Sequence, residues 1–366
     1  MAVAQPKLRS RKGGAAVPLD EADRRLMNLL QSSFALEPEP YASVAAEAAL
    51  DAAEVKARTQ RLLDERIIRE ITPIFDTRAL GYSSMLVAAK VDTEHPHRPA
   101  EIVNSHPGVS HNYLRTHEFN LWFTIATPPD SKLGLEGTLE VLQRLTGAES
   151  IRQLPTLTLF KINMNLEMEG GTDALAAAIE AAPPRELEAQ PYDEADVAVI
   201  RALQGPMEVV DRPYDAAAEQ VGMTTDGFLD HLRGMVDRKL LRRVAAILYH
   251  RRAGFSANGM GVWRVPEDEV MTVGRRMAAV RGISHCYQRP TYPDWPYSVF
   301  TMAHGRSKQE CDAILDRIAD EHGLHGDDRA VLYSSTEYKK VRLHYFVDDY
   351  ARWEEEHSGV NGAKRR

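Results

Sequence analysis

The tetrapeptide DEAD at 20–23 returns at 193–196, and the same register sets Pro40-Tyr41 against Pro213-Tyr214, Asp64 against Asp237 and Gly81 against Gly254. Further on the register slips by one position. There Gly108, Ser110, His111, Tyr113, Arg115 and Thr127 meet Gly282, Ser284, His285, Tyr287, Arg289 and Thr301. A unit of about 170 residues is therefore duplicated, which excludes short-period solenoids and asks for two copies of one fold. Between the copies, residues 167–191 are rich in Ala, Glu, Gly and Pro and read as a linker.

Each unit divides again. In the first, Asp20 is placed to cap a helix with Leu26, Leu29 and Leu30 on one face. A short helix, a third helix opened by Asp51, and the β-rich run RIIREITPIF complete a winged helix-turn-helix pattern. Strand (82–91), helix (98–106), strand (109–116), strand (119–127), helix (135–146) and strand (151–163) then follow. That βαββαβ order is ferredoxin-like, and the second copy repeats it. The expected fold class is α+β, with two tandem pairs of these domains. Their bounds are a winged helix-turn-helix at 18–78, a ferredoxin-like domain at 79–166, the linker, a second winged helix-turn-helix at 192–250 and a second ferredoxin-like domain at 251–350. Tails at 1–17 and 351–366 flank them. Each sheet has one face for its helices and another left over, so the halves are expected to pair within the chain.

The net charge of −8 argues against strong non-specific affinity for nucleic acid. The two cysteines, Cys286 and Cys311, lack metal-site or redox-motif spacing and are expected as reduced thiols in a cytoplasmic protein. No run approaches the ~20 apolar residues of a membrane span, and the basic start of the chain lacks a signal-peptide core.

Residues at alternate positions of a strand share a face, so His111, Tyr113 and Arg115 project together, as do His285, Tyr287 and Arg289. Taken singly these have plain structural readings: a hydrogen-bonded strand histidine, a surface ion pair, core aromatics.

A winged helix followed by βαββαβ resembles the Lrp/AsnC family of transcription regulators. The longer motifs are narrower. HNYLRTHEFNLWFT is similar to the signature of one subunit type of siroheme decarboxylase, and HCYQRPTYPDWPYSVFTMAHG to that of its partner subunit. EYKKVRLHYF (337–346) also resembles the partner's closing strand. The similarity runs from about 18 to 350, in the order of a natural fusion of the two subunits. It implies removal of the carboxyl groups of two acetate side chains of siroheme, giving didecarboxysiroheme for haem or d-type haem synthesis. No separate cofactor is implied, because the iron macrocycle is the substrate.

That chemistry needs cations to orient carboxylates, a dry pocket and a positioned acid. The resemblance makes His111 and His285 the candidate acids, with axial ligation of the siroheme iron as the competing role for either. Arg115 and Arg289 suit carboxylates through their planar fork. Tyr113, Trp122, Tyr287, Trp295 and Tyr297 are candidates for an apolar wall against the macrocycle, and His117 and His304 for further substrate contacts. One dominant site is expected where the sheets of the halves meet, with His285 and Arg289 on its lining.

The rival reading is a haem- or siroheme-sensing transcription regulator. The third helix of copy one offers Lys56, Arg58 and Arg61 to DNA, whereas that of copy two presents Asp226 and Asp230. Unequal readers suit a palindromic operator poorly, and no specific DNA binding is expected.

Overall fold

The computed structural model describes residues 19–32, 34–162, 188–249, 257–305 and 307–358. The tail expected at 1–17 and most of the linker (167–187) lie outside these. The first copy runs α1 (Glu21–Ser32), α2 (Pro40–Ala48), α3 (Ala52–Asp64), β1 (Ile68–Phe75), β2 (Ser83–Lys90), α4 (His97–Ser105), β3 (Val109–Arg115), β4 (Leu121–Thr127), α5 (Gly134–Thr146), β5 (Ser150–Leu154) and β6 (Thr158–Ile162). The second runs α6 (Glu194–Leu203), α7 (Asp215–Gln220), α8 (Thr225–Asp237), β7 (Leu241–Leu248), β8 (Ala257–Trp263), α9 (Val270–Ala279), β9 (Ile283–Gln288), β10 (Val299–Gly305), α10 (Lys308–His322), β11 (Arg329–Lys340) and α11 (Asp349–Ser358).

The repeated DEAD sequences are helix starts. Asp20 Oδ1 accepts from the Asp23 amide at 2.7 Å, and the Asp20 amide donates back to Asp23 Oδ2. Asp193 and Asp196 repeat this reciprocal cap, which satisfies amides that a helix start leaves free. The second aspartate of each pair is buried and holds the third helix of its unit: Asp23 pairs with Arg58 and Arg61, Asp196 with Arg238 and His231. β1 and β7 do not form separate wing hairpins. They pair antiparallel with each other, from Ile68↔Leu248 to Phe75↔Leu241, and the two helical units share one core containing Leu26, Leu62, Ile200, Leu232 and Val244. Apolar residues on the inner faces of both strands drive that pairing; among the described residues neither strand pairs with any other strand, and Val244 of β7 also accepts from the Phe34 amide.

The remaining strands take the order β5-β2-β4-β3-β11-β8-β10-β9-β6. Each copy thus contributes a four-stranded antiparallel ferredoxin-like sheet with its fourth strand beside its first. Pro155, which has no amide to donate, ends β5; the strand expected at 151–163 breaks there, and its second half crosses to pair with β9 of the other copy. β11 makes the reciprocal crossing without a break, pairing β8 through Tyr333 and β3 from Ser334 onward. Because β5 and β6 sit at opposite ends of the strand order yet adjoin in the chain, the sheet wraps around a common interior. Ala88, Trp122 and Leu154 meet Met260, Trp295, Phe300 and Leu332 there, with the Trp122 and Trp295 rings 5.3 Å apart. α4 and α5 cover the outer face of one sheet, α9 and α10 that of the other.

Two expectations need correction. The second cassette hairpin is four residues longer than the first, since its closing amide bond joins Arg289 to Ser298 where the first joins Arg115 to Asn120. Thr301 therefore lies opposite Cys286 and matches Phe123, not Thr127, so the single-residue shift does not extend through this strand. The stretch read as a tail from 351 begins inside α11. Trp353 of that helix is buried against His106, and buried Glu354 accepts from Ser131 Oγ and the Lys132 amide. An apolar residue three places past the last expected domain gave too short a pattern to reveal it.

Candidate functional site

Both cassettes keep their three side chains together. His111 lies 6.1 Å from Tyr113 and the Arg115 guanidinium 5.7 Å from the same ring; His285 is 6.0 Å from Tyr287, with Arg289 at 4.9 Å. Each arginine reaches into the other half: Arg115 Nη1 donates to the Leu332 carbonyl of β11, and Arg289 Nη1 to the Leu154 carbonyl of β5. Burial pulls both guanidinium groups down to about 10. In each, Nε is buried with no hydrogen-bond partner among the described residues. A buried cationic donor without an acceptor is costly, so both arginines are poised for an anion.

One of them opens onto a cavity of about 550 Å³. Arg69 and Arg78 come from the strand β1 and the turn after it, His111 and Ser110 from β3, Thr124 from β4, Arg289 from the second copy, and Lys340 and Arg342 from the end of β11. Five cations and one histidine line this space, and among the described residues no carboxylate does. Gly108 is required in its wall: a Cβ there would stand 1.8 Å from the Ala126 carbonyl oxygen. Arg342 is fixed by Glu70, Thr72 and the carbonyls of Pro73 and Gln204.

His111 has Nδ1 3.0 Å from Ser110 Oγ, which is itself 2.7 Å from Thr124 Oγ1. Burial, with Lys340 and Arg69 adding to it, holds this imidazole down to about 4, well below its ordinary value.

His285 is not on this lining. It stands against Ser284 Oγ at 2.6 Å, and its backbone pairs with Ile162, the last described residue before 163–187. This cavity brings His111 together with Arg289 and does not include His285, because each arginine crosses to the opposite sheet while its histidine stays. Trp122, Trp295, His117 and Tyr297 meet in the inter-sheet interior, where His117 lies 5.2 Å from Trp295 and accepts from the Phe119 amide. His304 pairs with Asn258 along β10 and β8 and lies off the cavity. Arg69, Arg78, Thr124, Lys340 and Arg342 were not singled out by sequence. The KKVR stretch held a signal, two basic residues that outlast the alternation of a strand, but its position beside β3 depends on the crossing of β11.

A second cavity, of about 810 Å³, shares Arg289 but adds Arg264, Glu267 and Asp328, and its mixed charge suits a polycarboxylate less well.

The chain was compared with known proteins. The AsnC-like ligand binding domain matches at 79–161 and 252–339, and the siroheme decarboxylase NirDL-like HTH domain at 23–69 and 196–242. A siroheme decarboxylase of Hydrogenobacter thermophilus is 36% identical over 329 residues, spanning 90% of this chain and 96% of that protein. The siroheme decarboxylase beta subunit of Methanosarcina barkeri is 36% identical over 153 residues, covering 41% of this chain and 99% of the subunit. Among solved structures, siroheme decarboxylase NirDL in complex with an iron-uroporphyrin III analogue superposes with a TM-score of 0.73 at 31% identity, covering 93% of this chain and 100% of that one.

Proposed function

This chain belongs to the siroheme decarboxylase family, as a fusion of two subunit-like halves, and from that premise we propose that siroheme is decarboxylated in the cavity shared by His111 and Arg289. The observation that carries the assignment is the charge of the lining, five cations and no carboxylate among the described lining residues, with Glu70 behind them pairing Arg69 and Arg342. Siroheme is a polycarboxylate, and in this reading a cationic pocket both binds it and fixes the orientation of its acetate arms.

In this reading Arg289, Arg69, Arg78, Lys340 and Arg342 hold carboxylates while one acetate arm is left to react. Its carbon–carbon bond breaks, carbon dioxide leaves, and the electron pair passes from the methylene carbon into the conjugated macrocycle. A proton then adds to that carbon to make a methyl group. His111 is the residue placed to deliver it. Burial chiefly depresses His111, and Lys340 and Arg69 add to it; bound carboxylates offset those two cations and so raise its affinity for the proton it must give. A second arm reacts after the macrocycle is repositioned, giving didecarboxysiroheme. The macrocycle is its own electron sink and the proposal calls for no separate cofactor, which makes the enzyme a carboxy-lyase. We place it in the cytoplasm, where two buried thiols remain reduced; among the described residues no helix is long and apolar enough to cross a membrane.

The regulator reading is disfavoured by the third helices. Lys56 is paired with Asp211, Arg58 with Asp20, Asp23 and Glu54, and Arg61 with Asp23 and Glu65, so the cations a DNA reader would present are already engaged. In this account the helical units serve as scaffold, carrying β1 and its arginines to the cavity. Anaerobic turnover of siroheme by the His111→Ala and Arg289→Ala variants tests the assignment.

A further inference from the structure

The register of the two hairpins makes Thr124 and Met302 equivalent: Thr124 stands opposite His111, and Met302 opposite His285. Serine precedes the histidine in both copies and bonds its Nδ1 in both. The hydroxyl behind it differs. Thr124 Oγ1 lies 2.7 Å from Ser110 Oγ and 3.4 Å from His111 Nδ1, and makes no other hydrogen bond among the described residues. In the second copy a thioether takes that place, and Ser284 Oγ instead approaches the Met302 carbonyl at 3.4 Å.

Resting on the reading of His111 as proton donor, we propose that Thr124 is a positioning residue: with Ser110 it engages Nδ1, fixes the ring, and leaves Nε2 for the substrate, and its replacement by Met302 makes the two cassettes unequal. A ring nitrogen that is held by a hydroxyl pair sets which nitrogen serves the reaction, the role that outer groups play for histidines in general. A bulky interior role does not explain Thr124, because its side chain lines the cavity and spends its hydroxyl on the histidine pair. Thr124 touches no reacting atom in this scheme; it acts through His111.

The test is steady-state siroheme decarboxylation under anaerobic conditions by Thr124→Val, Thr124→Met and Thr124→Ser, beside His111→Ala. Losing one positioning hydrogen bond is expected to lower kcat about tenfold in the Val and Met variants while KM stays within about twofold. Thr124→Ser, which keeps the hydroxyl, is expected to return kcat to within about twofold of the parent. Thr124→Met reproduces the residue of the other half and carries the comparison should Thr124→Val not fold. A parental kcat in Val and Met beside an inactive His111→Ala overturns the inference alone, as does a Ser variant as slow as Val. Full turnover by His111→Ala overturns the proton-donor reading and this inference with it.

Discussion

Arg289 and His111 line one cavity although they belong to opposite halves of the chain. The contact exists because the Arg289 side chain leaves its own sheet to bond the Leu154 carbonyl, at the point where the first copy hands its last strand to the second. Duplication and fusion thereby build a cavity that neither half lines alone.

The first consequence is unequal histidines. His111→Ala is expected to lower turnover on the order of 10²–10⁴-fold, the range that general acid catalysis supplies, and His285→Ala far less. Initial rates of both variants decide this. The spectrum of bound siroheme separates the roles: a proton donor leaves the iron bands unchanged when removed, whereas an iron ligand does not.

Binding should take up a proton. The imidazole of His111 sits at about 4, below its ordinary value, because of burial and then Lys340 and Arg69. Carboxylates arriving beside those cations raise it, so at pH 6–7 the complex binds more protons than its parts. Calorimetry in buffers of differing ionisation enthalpy should show uptake in the parent and less in His111→Ala. Equal uptake in both would contradict the coupling.

The cations divide differently. Arg289→Ala should weaken siroheme binding and slow turnover together, since it removes a carboxylate contact next to the reacting centre. Arg115→Ala, whose guanidinium faces the Leu332 carbonyl and is not on this lining, should affect binding less. Titration of both variants with siroheme checks the order.

How much of this was legible beforehand varied with the range of the interaction. The helix caps at Asp20 and Asp193 and the βαββαβ order follow from local pattern, and the cassette residues were visible as alternating positions on a strand. Resemblance, not pattern, directed attention to their chemistry. The crossings of β6 and β11, the pairing of β1 with β7, and the arrival of Arg69, Arg78, Lys340 and Arg342 at one cavity depend on contacts between distant segments, which no local period records. His117, Trp122, Trp295 and Tyr297 lie in the space between the sheets and not on this cavity, a placement that depends on how the two sheets meet.

Stability should respond to acid through the caps. Asp196 is fully buried; desolvation raises its pKa, but Arg238, the Asp193 amide and His231 together lower it below the ordinary value of 3.8. A depressed folded pKa contributes stability that is present above the unfolded value and lost as pH falls through the folded one. Asp196→Asn should therefore destabilise the protein by about 1.5–3 kcal/mol at pH 7, and by less below pH 3, in urea unfolding. An unchanged midpoint at pH 7 would show that the cluster contributes nothing net.

Association with DNA should be weak, salt-sensitive and without sequence preference, because the third-helix cations are paired within the chain. Nanomolar, sequence-selective retardation of a promoter fragment at physiological salt would restore the regulator reading.

The central claim is that one site, crossed between the halves, performs both decarboxylations. Its most direct measurement is anaerobic incubation with siroheme followed by mass analysis of the tetrapyrrole, for the parent, His111→Ala and His285→Ala. The account predicts two successive losses of carbon dioxide with the parent and with His285→Ala, and unchanged siroheme with His111→Ala over the same interval. Unchanged siroheme with His285→Ala and full conversion by His111→Ala would contradict it.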